Sequence, residues 1–193
     1  PLPTIGSKPI NHPPWSCTHA SEPCGKNELS VPLMHLARGY HDAMSNATMN
    51  TALLQGPLQL TSWPAMETAG GECVFIGRTR LEMHPSHGAL TALDYEACRP
   101  MADRLLEELA QNAGARWPCL SILVHHAIGR VAVGEISVVV RVVCEHRNEA
   151  FEACRWLIDE LKLQAPIWKR ECWSNGATWA TGTAVKHSEE SIS

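Results

Sequence analysis

Short apolar runs and amphipathic stretches alternate along most of the chain, and their order predicts both strands and helices. A short, mostly apolar run that is closed by turn-forming residues is typical of a strand. Such runs occur at 72–77, 89–97, 120–125 and 135–144, and the runs at 168–173 and 177–180 supply one or two last short strands. Because Pro and Gly lie in 81–88, that segment is predicted to be an exposed loop.

Two segments have the spacing of amphipathic helices. The first begins at Pro100, and its apolar residues recur at every fourth position: Met101, Leu105, Leu109 and Ala113. The second is predicted over Glu149–Leu163, with Asn148 as its N-cap and Pro166 just beyond its end. The order β-β-α-β-β-α-β with short links predicts an α+β fold, in which two main helices pack on a mostly antiparallel sheet.

The two ends of the chain differ in composition from this ordered part. Residues 1–50 are rich in Pro, Ser and other polar residues and show neither the strand nor the helix period, so we expect a mostly disordered N-terminal extension. One domain is expected over 51–182, which is long enough to bury a sizeable core. A flexible polar tail is expected at 183–193.

Charge and motif content exclude several classes of protein. Sixteen Lys and Arg against 20 Asp and Glu give a formal net charge of -4, which argues against non-specific binding of nucleic acid. The sequence has no apolar run long enough to span a membrane and no secretory signal pattern, so a cytoplasmic protein is expected. The motifs of P-loop nucleotide hydrolases, serine hydrolases, zincins and zinc ribbons are absent from the sequence.

Neither the cysteines nor the histidines predict a metal site or a disulfide framework. The chain has eight cysteines, and without a secretory signal they are expected to be reduced. Several lie in apolar runs, where a thiol behaves as a small hydrophobic group. His84 and His87 flank a proline without Cys or carboxylate partners nearby, and His125 and His126 should point to opposite sides of a strand.

Cationic side chains cluster at the ends of the predicted elements. Gly77–Arg80 places arginines just past a strand end, and His146 and Arg147 come just ahead of the second helix. Lys162 lies near the C-terminus of that helix, where a cation also complements the helix dipole, and Lys169 follows the proline break. Each of these residues alone is more often a solvated surface charge. Together they suit a small, multiply negative substrate such as a phosphate ester.

A long stretch of the sequence resembles one known family. The segment FEACRWLIDELKLQAPIWKRE over Phe151–Glu171 closely resembles the signature of the molybdopterin synthase catalytic (large) subunit. Further pieces fit that family in the same order, namely Gly77–Arg80, Tyr95–Ala102, Ala115–Val138, the His146-Arg147 step and Asn175–Trp179. The likeness runs from about Leu53 to Trp179.

The resemblance implies a fold, an activity and partners. The fold is of the α/β-hammerhead type, and the enzyme is a sulfurtransferase of molybdenum cofactor biosynthesis that converts cyclic pyranopterin monophosphate into molybdopterin. Both sulfurs come from the thiocarboxylated Gly-Gly tail of a small ubiquitin-like partner subunit. The large subunit forms a homodimer within a heterotetramer. Neither a cofactor nor a metal is implied, and neither nucleic acid nor a membrane is an expected partner.

The resemblance also assigns roles to individual cations. Arg80, His146 and Arg147 would bind the anionic substrate and the developing charge on the thiocarboxylate. Lys162 would lie nearest the transferred sulfur, and Lys169 would assist as a second cation. These two lysines are therefore the predicted catalytic residues.

Several residues depart from the family's pattern and keep other interpretations open. Glu145 and Ala127 each remove positive potential near the predicted site, whereas Arg78 and Arg99 add some; Cys98 replaces a common tyrosine. One alternative is a non-catalytic paralogue that only scaffolds the small subunit. A second is a sulfurtransferase that uses a cysteine of its own.

Overall fold

A computed structural model describes residues 47–180, in which eight strands and two long helices follow one another. Their bounds are β1 Thr48–Gln55, β2 Gly71–Arg78, β3 Met83–His84, β4 Gly88–Ala97, α1 Arg99–Arg116, β5 Cys119–Ala132, β6 Ile136–Cys144, α2 Arg147–Gln164, β7 Ile167–Trp173 and β8 Gly176–Trp179. Neither helix is long and apolar enough to cross a membrane.

The strands form one eight-stranded sheet in the order β2-β6-β5-β4-β7-β8. β1 pairs with β5 in parallel, and the short β3 pairs with the start of β4. The other pairings between strands in residues 47–180 are antiparallel. The predicted α+β fold, with two main helices on a mostly antiparallel sheet, is therefore confirmed.

Both helices pack on one face of the sheet and form the main core. Leu106 of α1 and Leu157 of α2 are fully buried there against Ile122 and Val140 of the two central strands. On the opposite face a smaller core includes Leu123 and residues of the segment that joins β1 to β2. Alternate residues of β5 and β6 supply the two cores, because successive side chains of a strand point to opposite faces.

The strand β1 corrects the predicted domain boundary. Residues 48–50 lie in this strand, although the composition placed them in a disordered extension. The first half of β1 is polar and exposed, so its apolar period is too short to show in the sequence. The rest of the predicted extension, and the tail at 183–193, lie outside the described residues.

Two further boundaries differ from the prediction. β5 extends beyond the predicted run at 120–125 to Ala132, and it passes through Gly129, whose φ of 79° lies in the left-handed region that glycine adopts readily. The turn itself lies at 133–135. The predicted loop at 81–88 contains the two-residue β3.

The start of α2 and the buried face of α1 also differ slightly from the prediction. α2 begins at Arg147 with His146 as its N-cap, so Asn148 lies inside the helix. In α1 the buried row includes Ala102 and Leu106, whereas Met101 is exposed. Met101 has the spacing of the helix period, but it lies outside the face of α1 that packs on the sheet.

Candidate active site

The connection between β6 and α2 places His146 and Arg147 at one end of the sheet. β6 ends at Cys144, opposite Gly71 of β2, and α2 begins three residues later. The backbone of His146 is extended, and the side chains of His146 and Arg147 are both exposed. Because the first backbone N–H groups of a helix have no partner within it, this end of α2 attracts an anion.

An open pocket with a volume of about 430 Å³ lies at this helix start. Its lining residues are Gly70, Glu145, His146, Arg147, Asn148 and Glu149. The pocket therefore contains two of the predicted substrate-binding residues together with two carboxylates. One carboxylate oxygen of Glu149 is buried without a hydrogen-bond partner among the described residues. We refer to His146 and Arg147 as the helix-start pair.

Helix α2 runs from this pocket back along β6. The Cys154 thiol lies 3.9 Å from the carbonyl oxygen of Val140, in the middle of that strand. Lys162 follows Arg147 by fifteen residues, which at 1.5 Å per residue separates their Cα atoms by about 22 Å. Lys162 is exposed in the last turn, so it lies at the opposite end of the helix from the pocket.

Arg80 also lies at that opposite end. β2 begins opposite Cys144 and ends with Arg78 opposite Ile136, and Arg80 follows two residues beyond. The Arg80 Nε donates a hydrogen bond to Glu82 at 2.7 Å, and its side chain is 85% exposed. An ion pair as exposed as this contributes little to stability, so Arg80 can exchange Glu82 for another anion at small cost.

Lys169 lies in β7, just after the break that ends α2. It pairs with Tyr95 of β4, which pairs in turn with Gly129 of β5. The neighbouring Arg170 forms an ion pair with Asp94, with 2.6 Å between Nη2 and Oδ2. Neither Lys162 nor Lys169 forms an ion pair with another residue of 47–180. We refer to Arg80, Lys162 and Lys169 as the far-end trio.

A partly buried polar cluster links the strands near the far-end trio, and no sequence motif marks it. The Tyr95 hydroxyl is hydrogen-bonded to Ser137, whose own hydroxyl donates to the Gly77 carbonyl at 3.4 Å. Burial raises the pKa of Tyr95 and lowers the pKa of His126, whose ring meets the Tyr95 ring edge-on at 5.1 Å. The cluster connects β4 to the strand that leads to Arg80. Tyr95 lies in a predicted strand and His126 directly follows one, and nothing in their spacing marks them as neighbours.

The five predicted site residues therefore form two groups within one chain. The helix-start pair lines the pocket at one end of α2, and the far-end trio lies toward the other end. A separation of about 22 Å along the helix is too long for one small substrate to contact both groups of the same chain.

The buried cysteines are poorly suited to act as nucleophiles. Burial raises the pKa of Cys119 to about 12 and that of Cys154 to about 12. Cys144 is also buried, and its sulfur lies 3.8 Å from that of Cys119. Because the thiolate is the reactive form, these three thiols are inert near neutral pH.

The histidines and acidic residues of the described range do not assemble a metal site. Within 47–180, no group of three or more His, Cys, Asp or Glu side chains could hold a metal ion. The rings of His84 and His87 lie 4.6 Å apart, but each already has a backbone partner. Nδ1 of His84 accepts the N–H of Ser86, and Nδ1 of His87 meets the carbonyl of Asn175.

Comparison with known proteins identifies the family. The sequence model of the MoaE protein family matches residues 53–164. A molybdopterin synthase catalytic subunit from Nostoc sp. is 44% identical over 144 residues, which cover 71% of this chain and 85% of that protein. This chain belongs to the MoaE family.

Other MoaE relatives agree with this membership. The molybdopterin synthase catalytic subunit of Pyrococcus abyssi is 39% identical over 115 residues, or 60% of this chain and 76% of that protein. The crystal structure of molybdopterin synthase from Staphylococcus aureus matches with a TM-score of 0.59 and 27% identity, covering 72% of this chain and 99% of that one. The family and the class of enzyme predicted from the sequence are thus confirmed.

Proposed function

We propose that this chain is the catalytic subunit of a molybdopterin synthase and converts cyclic pyranopterin monophosphate into molybdopterin. Its MoaE relatives bear the name of that subunit, and a catalytic subunit requires a second one. As the sequence resemblance implies, the second subunit is a small ubiquitin-like protein whose thiocarboxylated Gly-Gly tail delivers two sulfurs. We place the complex, a heterotetramer built on a homodimer of this chain, in the cytoplasm.

The observation that carries the site assignment is the division of the cations between the two ends of α2. At one end, His146 and Arg147 offer a pocket at a helix start, which suits the phosphate of the substrate. At the other end, Lys162 and Lys169 lie on either side of the Pro166 break without ion-pair partners in 47–180. Because these lysines are not neutralised by a carboxylate, they can stabilise the thiocarboxylate oxygen that gains negative charge as sulfur is transferred.

A homodimer reconciles these two distant groups. In a two-fold symmetric dimer, the same contact occurs twice, so the helix-start pair of one chain can face the far-end trio of its partner in both copies. Each active site would then take His146 and Arg147 from one chain and Arg80, Lys162 and Lys169 from the other. Two equivalent sites per dimer agree with the two small subunits of a heterotetramer.

Mixed dimers test this arrangement. Lys162→Ala and Arg147→Ala dimers should each lose most activity with the thiocarboxylated small subunit and cyclic pyranopterin monophosphate. After the two variants exchange chains, half of the dimers are mixed, and each mixed dimer has one intact site and one doubly defective site. Activity should therefore return to about a quarter of the wild-type value. If mixed dimers form and activity does not return, both groups act within one chain.

The scaffolding alternative now depends mainly on Glu145. Ala127, the other departure that was expected to lower the potential at the site, is fully buried in the smaller core. Glu145 is exposed in the pocket beside the helix-start pair. A stable complex with the small subunit that yields no molybdopterin, measured as its fluorescent oxidation product, would favour the scaffold.

A further inference from the structure

We infer that Gly70 is a positioning residue for the substrate anion, because a side chain at this residue would displace His146 and Arg147. The inference rests on the proposed role of the helix-start pair in substrate binding. Gly70 precedes β2 and lines the same pocket as that pair.

Gly70 lies directly against the backbone of the β6–α2 connection. Its N–H donates a hydrogen bond to the carbonyl of Cys144 at 3.2 Å. A Cβ atom at Gly70 would overlap the carbonyl oxygen of Glu145, and one at Gly71 would lie 2.7 Å from the Cα of Arg147. Both obstacles are backbone atoms, which cannot rotate away as a side chain can. The connection can therefore lie this close to β2 only if no side chain intervenes.

The requirement for glycine at this residue is one of space and not of backbone conformation. The glycines of 47–180 with positive φ are Gly56, Gly88, Gly129, Gly134 and Gly176. Gly70 is not among them, so alanine can adopt its backbone conformation without the strain of the left-handed region. The expected effect of Gly70→Ala is thus a local outward shift of Glu145.

A shift at Glu145 is passed on to its immediate neighbours. His146 follows it directly, and Arg147 begins α2. A displacement of about 1 Å in a substrate-positioning group can lower activity by about 100-fold. Since the pair binds substrate and transition state alike, the loss should appear mainly as a higher KM.

The first test compares steady-state kinetics of Gly70→Ala with two controls. Thr68→Ala changes an exposed residue of the same segment, and Ile122→Val slightly loosens the main core away from the pocket. Gly70→Ala should raise the KM for cyclic pyranopterin monophosphate by about tenfold or more, with a smaller change in kcat and unchanged affinity for the small subunit. Both controls should keep the wild-type KM. A wild-type KM for Gly70→Ala would overturn the inference.

Mixed dimers then show whether Gly70 acts through the helix-start pair. Gly70 belongs to the same chain as the pair that it positions. Gly70→Ala should therefore regain activity when mixed with Lys162→Ala, and should not when mixed with Arg147→Ala. Recovery with Arg147→Ala would overturn the inference. So would a lack of recovery with Lys162→Ala when Arg147→Ala and Lys162→Ala do restore activity to each other. If Arg147→Ala alone leaves KM unchanged, it is the proposed role of the helix-start pair in substrate binding that fails, whatever Gly70→Ala does.

A second variant covers the case in which Gly70→Ala does not fold. Glu145→Gly gives the connection a freer backbone that can move aside for the added methyl group. The double variant Gly70→Ala/Glu145→Gly should fold and show a higher KM than Glu145→Gly alone. An equal KM for the two would overturn the inference.

Discussion

Arg141 and Glu72 form a two-point ion pair that joins β6 to β2. Nε of Arg141 lies 2.7 Å from one carboxylate oxygen of Glu72, and Nη2 lies 3.1 Å from the other. The Arg141 side chain is only 6% exposed, and its guanidinium stacks on the ring of Trp63 at 5.2 Å. This ion pair holds the edge strand β2 on β6. It thereby also holds the start of β2 at Gly71, which lies against the backbone of the helix-start pair.

Glu72→Ala should destabilise the protein because it leaves the buried Arg141 without its carboxylate. Loss of a charged hydrogen-bond partner costs about 1.5–3 kcal/mol, and the partial exposure of Glu72 favours the lower end. Glu82→Ala removes a carboxylate from an exposed pair and should change the free energy of unfolding by less than about 0.5 kcal/mol. Urea unfolding of the two variants measures the difference; equal values would mean that the buried pair contributes no more than the exposed one.

The same pair predicts how stability depends on pH. The hydrogen bond from Arg141 lowers the pKa of Glu72 below its ordinary value of 4.5. A carboxyl group with a lowered pKa in the folded state stabilises the fold above its unfolded pKa, and this contribution is lost as pH falls through the folded pKa. The stability gap between wild type and Glu72→Gln should therefore be constant near neutral pH and shrink below about pH 4.5. A stability difference that stays the same as the pH falls would contradict a lowered pKa of Glu72.

Lys162→Ala should lower turnover by about 100-fold or more, which is the usual effect of removing a positioned acid–base or oxyanion-stabilising group. Dimerisation and binding of the small subunit should persist, because Lys162 is exposed and forms no ion pair within residues 47–180. Arg155→Ala, on an exposed surface in the middle of the same helix, is the matched control. Near-normal turnover by Lys162→Ala would remove it from the catalytic group.

Alkylation of the native enzyme distinguishes sulfur delivered by the partner from sulfur carried on a cysteine of this chain. Iodoacetamide at neutral pH should leave Cys119, Cys144 and Cys154 unmodified, because burial raises the pKa of each thiol. Mass spectrometry identifies the modified residues, and the assay with the thiocarboxylated small subunit measures activity. Activity should be retained; its loss on modification of a single cysteine would favour the thiol-dependent alternative.

Most of the fold follows from local patterns, whereas the relationships that build the site do not. The apolar runs and Pro166 predict the order of strands and helices from β2 to β8, apart from the two-residue β3, because burial on a sheet imposes a two-residue period and burial of a helix a 3.6-residue period. The packing of α2 along β6, which places Lys162 at the end of the sheet where Arg80 lies, is a tertiary relationship. The close approach of Gly70 to Glu145 likewise has no signal in the sequence beyond the glycine itself.

The strand β1 provides a direct test of where the folded domain begins. Leu53 is 4% exposed and packs in the main core, whereas the adjacent Leu54 is 42% exposed on the other face. Leu53→Ala should therefore lower the free energy of unfolding by about 2–5 kcal/mol, as for other buried leucines. Leu54→Ala should change it by less than about 0.5 kcal/mol. Equal stability of the two variants would mean that β1 does not pack on the helices, and the folded domain would then begin after residue 55.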